Sequence, residues 1–323
     1  MSINKTRDTI KTVVTAFCML MVVNIVIDID DAKAESSKGI RIVSSIKPLA
    51  LLIQEIINDD DQVEVLLEPN QDYQFTQLKP AQLQKITQAD VIFYIDDSFE
   101  KFVKNAKTND SAQYKYIQMS QTQNLRLLGL RKSGELPQLA QDNSRFSGNN
   151  QGNTDWHIWL NPDNAIVMLR KIRNELSKLR PDKQDSYQER YEIFSQHLIR
   201  YSHEKAEMMM KVLDSPFFVL QDGLQYFEEQ FGLQSKGTII QPGQKAPSSK
   251  HINELKNLRE NYEVNIVVKE EKHPGKVITS LAGDKRFEVI NVDYLAQGSF
   301  RHYEDYISYT DALTERIFSG LRK

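Results

Sequence analysis

A segment of 31 residues without glycine or proline, Lys183 to Leu213, divides this chain into two parts and limits how it can fold. Within the segment, bulky apolar side chains recur mostly at three- and four-residue steps, which is typical of one amphipathic helix. A surface helix of a single domain and a rigid strut between two lobes both fit this length. The pattern on either side favours the strut. The apolar residues are Tyr187, Tyr191, Phe194, Leu198, Tyr201 and Met208.

Strands and helices alternate on both sides of this segment. Alternation at this spacing predicts right-handed βαβ units and parallel sheets. The run at 90–95 is nearly all apolar, as expected for a strand that is covered on both faces. We therefore predict an α/β protein with two βα lobes and mainly parallel sheets, joined by one long connecting helix. The predicted strands are 40–45, 62–67, 90–95, 217–221, 264–269 and 287–292, and the predicted helices are 48–57, 80–87, 164–179, 224–231, 249–261 and 303–317.

These elements give an N-terminal lobe at 35–180, a connecting helix at 181–214 and a C-terminal lobe at 215–323. A mostly polar segment at 120–154, rich in Gln, Ser, Asn and Gly, interrupts the first lobe. We predict a long loop there.

The first 34 residues have the pattern of a cleavable export signal. A basic start with Lys5, Arg7 and Lys11 precedes an apolar run at 13–27, and Ala32-Lys33-Ala34 offers a cleavage site between small residues. A membrane span needs about 20 apolar residues, so removal of the run is a better interpretation than a retained anchor. We expect a soluble protein exported to the periplasm.

The composition excludes several classes of function. Cys18, the only cysteine, lies in the apolar run, so the exported chain has neither disulfides nor thiolate metal ligands. A formal net charge of −3 lacks the basic excess of a nucleic-acid binder, and we expect no nucleic-acid partner. The chain has no Gly-x-Ser-x-Gly elbow, His-Glu-x-x-His helix or Gly-x-x-x-x-Gly-Lys loop, so we expect no enzymatic activity.

The octet Asp-Trp-His-Ile-Trp-Leu-Asn-Pro at 155–162 holds both tryptophans and one of the six histidines. Two interpretations of His157 are open: a hydrogen-bonded histidine in an aromatic core, or a metal ligand held by a turn that ends in proline. Three other histidines lie on predicted helices among charged or polar residues. We expect these three at the surface: His197, His203 and His251.

Motifs along nearly all of the exported chain resemble the metal-binding solute receptors of ABC importers for zinc and manganese. The segment Asp155-x-His157-x-Trp159-Leu160-Asn161-Pro162 is the most specific match and resembles the family's second histidine motif. The other matching segments are Ser45-Ile46-Lys47-Pro48-Leu49, Gln74 to Pro80, Ala89 to Phe93, Gln221 to Phe227, Phe231-Gly232-Leu233, Gln241-Pro242-Gly243, Val267 to Glu270 and Val292-Asp293.

The resemblance implies two lobes that close over one divalent cation, with two ligands from each lobe, and an ABC permease of the inner membrane as partner. It implies ligands at His157 and Asp293, with Glu270 where some members carry a carboxylate. The family's other two histidines are Gln74 and Gln221 here. A neutral amide oxygen is a harder and weaker donor than imidazole, so these changes are expected to weaken zinc binding. Zinc or manganese is the implied cargo.

Three arrangements of this altered site remain open. The first is a receptor for a harder cation that uses the five positions just named. The second recruits His273 or His302, for which a solvent-exposed histidine is the simpler interpretation. The third is a degenerate receptor that has lost metal binding and serves another ligand-binding or surface-interaction role. In each case we expect a monomer.

Overall fold

Two four-stranded parallel sheets with the same topology form the framework of this computed structural model. The first sheet has the strand order β2-β1-β3-β4 and the second has the order β10-β9-β7-β8. When the strands of each sheet are numbered 1 to 4 along the chain, both sheets have the order 2-1-3-4, the second being read from β8 to β10. The first sheet contains β1 Arg41–Ser44, β2 Gln62–Val65, β3 Val91–Tyr94 and β4 Tyr116–Gln118, and the second contains β7 Phe217–Gln221, β8 Thr238–Ile240, β9 Ile266–Glu270 and β10 Glu288–Val292.

The structure describes residues 39–69, 71–73, 76–131, 154–283, 286–298 and 303–323. Ile40–Asn58 and Gln62–Lys323 form one compact unit, which holds both sheets and all of the helices described below. The other unit consists of residues 1–39 and Asp59–Asp61, and its described part is Gly39 and a short turn. The predicted export signal at 1–34 lies outside the described residues.

Nine helices lie within the described ranges, and local sequence explains several of their starts. Pro48 and Pro162 stand at the start of two of them, where the missing N–H of proline costs no helical hydrogen bond. Asn161 and Asp305 accept hydrogen bonds from backbone N–H groups of the first helical turn. The helices are α1 Lys47–Gln54, α2 Pro80–Gln88, α3 Lys101–Thr108, α4 Pro162–Leu179, α5 Gln184–Met209, α6 Gln225–Phe231, α7 Ser249–Tyr262, α8 Lys276–Ala282 and α9 Tyr306–Leu321.

The predicted connecting helix is confirmed as α5, which continues into a 3-10 turn at Met210–Val212. It packs on α4 from the first lobe and on α6 and α9 from the second. Its buried apolar residues, Tyr187, Phe194, Leu198, Tyr201 and Met209, form one stripe along the helix. The stripe faces helices from both halves, so α5 carries the core across the junction.

The hydrophobic core is continuous between the lobes. One large cluster runs from β1 through Trp159 and α5 to α9, and a smaller one lies within the second lobe. The C-terminal helix α9 contacts both β10 and α1. Its first backbone N–H, at Tyr306, donates to Glu55 Oε1 at 3.0 Å. The end of the chain therefore fastens the second lobe to the first.

The sequence pattern missed α3, β4, β8 and α8. These elements are short, and α3 buries only Phe102 and Val103, so their periodicity is weak. The predicted loop at 120–154 ends in a short antiparallel ladder, in which β5 Leu128–Gly129 pairs with β6 Thr154–Asp155. Residues 132–153 lie outside the described ranges.

The expectation of a surface position is confirmed for His197 and His203 and is wrong for His251. His251 is buried, and its Nε2 lies 2.8 Å from the carbonyl oxygen of Thr238. That carbonyl belongs to β8, which the sequence pattern did not predict. Tertiary pairing with an unpredicted strand therefore determines where this histidine lies.

None of the helices in the described part of the chain combines the length and the apolar character that crossing a membrane requires.

Glu100 is a fully buried carboxyl group beside the carboxyl end of β3. Its Oε2 accepts hydrogen bonds from the backbone N–H groups of Ile95 and Asp96 at 2.7 and 3.0 Å. These bonds favour the charged form, but burial has the larger effect and raises the pKa of Glu100 to about 8. The folded protein therefore holds a proton here that an unfolded chain releases near pH 4.5.

We predict that the free energy of unfolding falls as the pH rises from about 5 to 8, because the native state binds more protons than the unfolded state in this window. Glu100→Gln keeps the group neutral and should flatten the dependence by on the order of a few kcal/mol. Urea denaturation at four pH values measures this. The control is Glu189→Gln, which changes an exposed glutamate of α5. Equal pH slopes for the three proteins would contradict the prediction.

Candidate metal centre

His157 lies between β6 and a 3-10 turn at Ile158–Leu160, and a hydrogen bond to Asp155 orients its imidazole. Asp155 Oδ1 accepts hydrogen bonds from the backbone N–H of His157 at 3.0 Å and from its Nδ1 at 2.7 Å. An ionised carboxylate can only accept, so Nδ1 carries a proton, and in the neutral imidazole Nε2 is the nitrogen with the lone pair. The His157 side chain is 14% exposed, which leaves the ring within reach of solvent. This arrangement is the usual one for a histidine that binds a metal through Nε2.

Aromatic rings surround the imidazole. The ring centroids of Phe99, Trp159 and Tyr294 lie 5.8, 5.3 and 5.8 Å from that of His157. Phe99 follows β3 in the first lobe, whereas Tyr294 follows β10 in the second. The histidine therefore has the aromatic packing of a core residue together with the carboxylate partner of a metal ligand.

Hydrogen bonds fix the octet to the second lobe. The indole Nε1 of Trp159 donates to the carbonyl of Tyr294 at 3.0 Å. The Tyr309 hydroxyl donates to the same carbonyl at 2.6 Å, and the Tyr306 hydroxyl donates to the carbonyl of Trp159 at 2.5 Å. Both tyrosines belong to α9. His157 is thereby held close to the loop that follows β10.

The turn between β7 and α6 lies directly against the imidazole. A Cβ atom added at Gly223 would stand 3.3 Å from His157 Nε2 and 3.1 Å from Tyr294 Cε2. Such contacts are tighter than a well-packed carbon normally accepts, so glycine at 223 permits this close approach. The backbone of the second sheet's switch point therefore borders the Cε1–Nε2 edge of His157.

Two carboxylates of the second lobe lie near Tyr294. Glu270 ends β9, and its Oε2 accepts a hydrogen bond from the backbone N–H of Tyr294 at 2.9 Å. Burial, with a contribution from Asp293, raises the pKa of Glu270 to about 8. Asp293 follows β10 and accepts from the backbone N–H of Gln297 at 2.9 Å and of Gly298 at 2.5 Å. Asp293 thus organises its own loop.

The remaining candidate positions differ in their surroundings. Gln221 is exposed at the end of β7. His273 accepts a hydrogen bond at Nδ1 from the N–H of Gly275 at 3.2 Å, and burial followed by the charge of Lys269 lowers its pKa. Gln74 and His302 lie outside the described residues.

The structure brings His157, Glu270 and Asp293 around Tyr294, and it leaves the Gln221 side chain at the surface. Among the residues that the structure describes, no group of three or more His, Cys, Asp or Glu is arranged to hold a metal ion.

A buried ion cluster that the sequence pattern did not indicate supports the Gly223 turn. The Arg131 guanidinium donates to Asp222 Oδ1 at 2.8 Å, to Glu228 Oε2 at 2.9 Å and to Ser235 Oγ at 3.0 Å. Burial opposes the charge of Arg131, but Glu228 and Asp222 raise its pKa well above the ordinary value. Arg131 lies in the segment predicted as a loop, where the sequence spacing between Arg131 and other charged residues does not indicate a contact. The cluster joins that segment to the residue next to Gln221.

Comparisons with family models, curated proteins and solved structures agree on one family. A family model described as zinc-uptake complex component A, periplasmic, matches residues 42–320. Two of the similar curated proteins are the high-affinity zinc uptake system proteins ZnuA of Brucella abortus and Yersinia pestis. The first is 24% identical over 66% of this chain and 71% of its own length, and the second is 23% identical over 87% and 91%. A solved structure of a zinc-bound ZnuA deletion mutant has a TM-score of 0.71 at 23% identity and covers 88% of this chain and 99% of its own.

We predict that Arg131→Met destabilises the protein by roughly 3–5 kcal/mol, because it leaves two buried carboxylates without their cation. Urea denaturation at neutral pH measures the change. The matched control is Lys178→Met, which breaks an ion pair with Glu175 at the surface of α4 and should cost about 1 kcal/mol or less. Similar losses in the two variants would show that the Arg131 cluster is not a buried structural link.

Proposed function

Because the chain belongs to the family of periplasmic zinc-uptake complex components A, we propose that it is the substrate-binding component of an ABC importer. In this role it captures one divalent cation, zinc in the first instance, and delivers it to a membrane permease. The observation that carries the proposal is the Asp155–His157 pair, which engages Nδ1 and leaves Nε2, beside the Gly223 turn of the second lobe, as the nitrogen available for a metal.

His157 is the proposed ligand from the first lobe, and Glu270 and Asp293 are the proposed ligands from the second. The hydrogen bonds that these carboxylates accept from backbone N–H groups are compatible with metal binding, since each oxygen has a second lone pair. Gln74 and Gln221 are proposed as amide donors. Gln221 and Glu270 end the strands β7 and β9, at the switch point of the sheet where open α/β folds bind ligands.

Manganese is the alternative cargo. The proposed donor set has one imidazole, and its other donors are carboxylate and amide oxygens. Such an oxygen-rich set suits manganese, whereas zinc prefers sets that are rich in nitrogen and sulfur donors. The family supports zinc, and the chemistry of the donors supports the harder cation.

The proposed site of action is the periplasm, reached through the export signal at 1–34. The family description includes a periplasmic location, and the basic, apolar and small-residue order of the N-terminus agrees with it. We propose a monomer that acts by binding and release without catalysis, with the permease as its partner.

The first test is calorimetric titration of zinc and manganese into metal-stripped protein, with elemental analysis of the protein as purified. We expect one cation per chain for the wild type. His157→Ala and Asp293→Ala should each lower the affinity by at least about 100-fold, because they remove ligands whose supporting residues alone matter 10- to 100-fold. The control is His197→Ala, which changes an exposed histidine of α5.

Failure of the wild type to bind either metal would reject the transport proposal. The degenerate receptor with another ligand or a surface role would then be favoured. Wild-type affinity in both the His157 and the Asp293 variant would instead mean that the cation binds elsewhere.

We also predict that Asp155→Asn lowers cation affinity by about 10- to 100-fold while His157 stays in place. The amide oxygen still accepts the two hydrogen bonds, but the lost charge makes Nε2 less basic. Titration measures the affinity, and nitrogen NMR of the imidazole reports its tautomer. Asp163→Asn, at an exposed position in the first turn of α4, is the control. An Asp155 variant with unchanged affinity would contradict the orienting role.

A further inference from the structure

The second carboxylate oxygen of Asp155 connects the candidate ligand His157 to the other lobe. Asp155 Oδ1 accepts hydrogen bonds from the backbone and the imidazole of His157. Asp155 Oδ2 instead accepts one from the side-chain amide of Gln225 at 3.3 Å. The Asp155 side chain is only 1% exposed, so water does not readily replace this amide. The side chains of Gln225, Asp155 and His157 therefore form one hydrogen-bonded chain across the two lobes.

Gln225 has a fixed position from which to hold the carboxylate. It is buried and begins α6, and the next residue along the helix also binds Asp155. The Tyr226 hydroxyl donates to the carbonyl of Asp155 at 2.9 Å and accepts from the backbone N–H of Leu128 at 2.9 Å. The first turn of α6 thus binds both the backbone and the side chain of Asp155.

The hydrogen bond at Oδ2 fixes the plane of the Asp155 carboxylate. A carboxylate that is held at one oxygen can rotate about its Cβ–Cγ bond, since this torsion has broad minima. Rotation would move Oδ1 away from the Nδ1 atom of His157, and the amide of Gln225 opposes it. Because Nδ1 and Nε2 belong to one rigid ring, the direction of Nε2 follows from the direction of the Nδ1 bond. Gln225 therefore acts on the proposed metal-binding nitrogen through Asp155.

The kind of donor at Oδ2 also matters for the imidazole. In the neighbouring ion cluster, Arg131 neutralises the carboxylates that it binds. The amide of Gln225 satisfies an oxygen of Asp155 without bringing a positive charge. A carboxylate that keeps its charge makes the opposite nitrogen of its histidine a better metal ligand. Gln225 thus completes the hydrogen bonding of Asp155 and leaves its charge to act on His157.

We propose that Gln225 is a positioning residue of the cation site, which orients the His157 imidazole through Asp155. The inference rests on the proposed function and deepens it, because the orientation of the first-lobe ligand then depends on a residue of the second lobe. The contact of α6 with the 3-10 turn at Ile158–Leu160 keeps the two parts together. Separation of the lobes at this contact would remove the donor from Oδ2 and release the imidazole.

The experiment compares the wild type with Gln225→Met, which keeps the length of the side chain and removes the amide. Manganese and zinc are titrated by calorimetry into metal-stripped protein. We expect the variant to bind the cation about 10-fold more weakly, at the lower end of the effect of outer-shell partners. Gln225→Asn keeps an amide that is one methylene too short, and it should lose affinity in the same way.

Nitrogen NMR of the metal-free proteins provides a readout that a purely structural role would not change. The wild-type imidazole of His157 should hold its proton at Nδ1, and the Gln225 variants should populate both tautomers. The matched control is Gln230→Met on the same helix. Gln230 donates to Ser202 Oγ at 2.8 Å and accepts from the side-chain amide of Asn161 at 3.2 Å. Its loss should leave affinity and tautomer unchanged.

A double-mutant cycle tests whether Gln225 acts through Asp155. Independent effects on affinity would multiply, so Gln225→Met would cost the same factor in the Asp155→Asn background as in the wild type. A positioning role predicts that it costs less than about 2-fold there, because the carboxylate that it orients is already gone. The full factor in both backgrounds would overturn the inference.

The remaining outcomes separate this inference from the proposed function. If the wild type binds a cation and both Gln225 variants bind it equally well, with the proton of His157 still at Nδ1, Gln225 is not a positioning residue and the receptor function stands. If the wild type binds neither manganese nor zinc, the receptor function fails, and the role of Gln225 in cation binding fails with it.

Discussion

The hydrogen bond from the Trp159 indole to the carbonyl of Tyr294 joins the two lobes at the point on which the proposed site depends. Trp159 is fully buried, so this bond forms away from water, where leaving either group unpaired would be costly. Tyr309 shares the same carbonyl and brings α9 to the junction. Because His157 stands two residues before Trp159, the bond fixes the imidazole against the loop of the second sheet. The position of the candidate ligand follows from this packing.

The repeated 2-1-3-4 strand order explains why the second lobe can contribute groups to that junction. In each sheet the second strand along the chain lies on one side of the first strand, and the third lies on the other side. This change of side leaves a crevice at the carboxyl ends of the first and third strands. In the second sheet these ends carry Gln221, Gly223 and Glu270. In the first sheet, the residues just after β3 donate their backbone N–H groups to the buried carboxyl of Glu100. His157 instead comes from the irregular segment after β6, where no sheet position dictates its direction.

Sequence patterns predicted the parts of the fold that depend on long apolar runs. The strands β1, β3 and β7 carry apolar runs and were predicted within a few residues of their observed bounds. The helix α5 was predicted from a different signal, apolar residues at three- and four-residue steps without glycine or proline. The short elements β4 and β8 bury few side chains and gave no comparable signal. The octet motif identified His157, but the Arg131 cluster and the burial of His251 could not be predicted. Both depend on partners about 90 and 13 residues distant in the chain, which periodicity does not report.

The charged groups around the junction are a stronger argument for a bound cation than the number of histidines is. Five carboxylates lie in this region, and four of them have partners: Asp222 and Glu228 pair with Arg131, Asp155 accepts from His157, and Asp293 accepts from backbone N–H groups. Glu270 accepts one backbone hydrogen bond, and burial still opposes its charge. A divalent ion next to Glu270 and Nε2 of His157 would stabilise the ionised carboxylate without rearranging the other four. In the proposed site, glutamine at two histidine positions would therefore favour a harder cation than zinc, with Glu270 as the anionic donor.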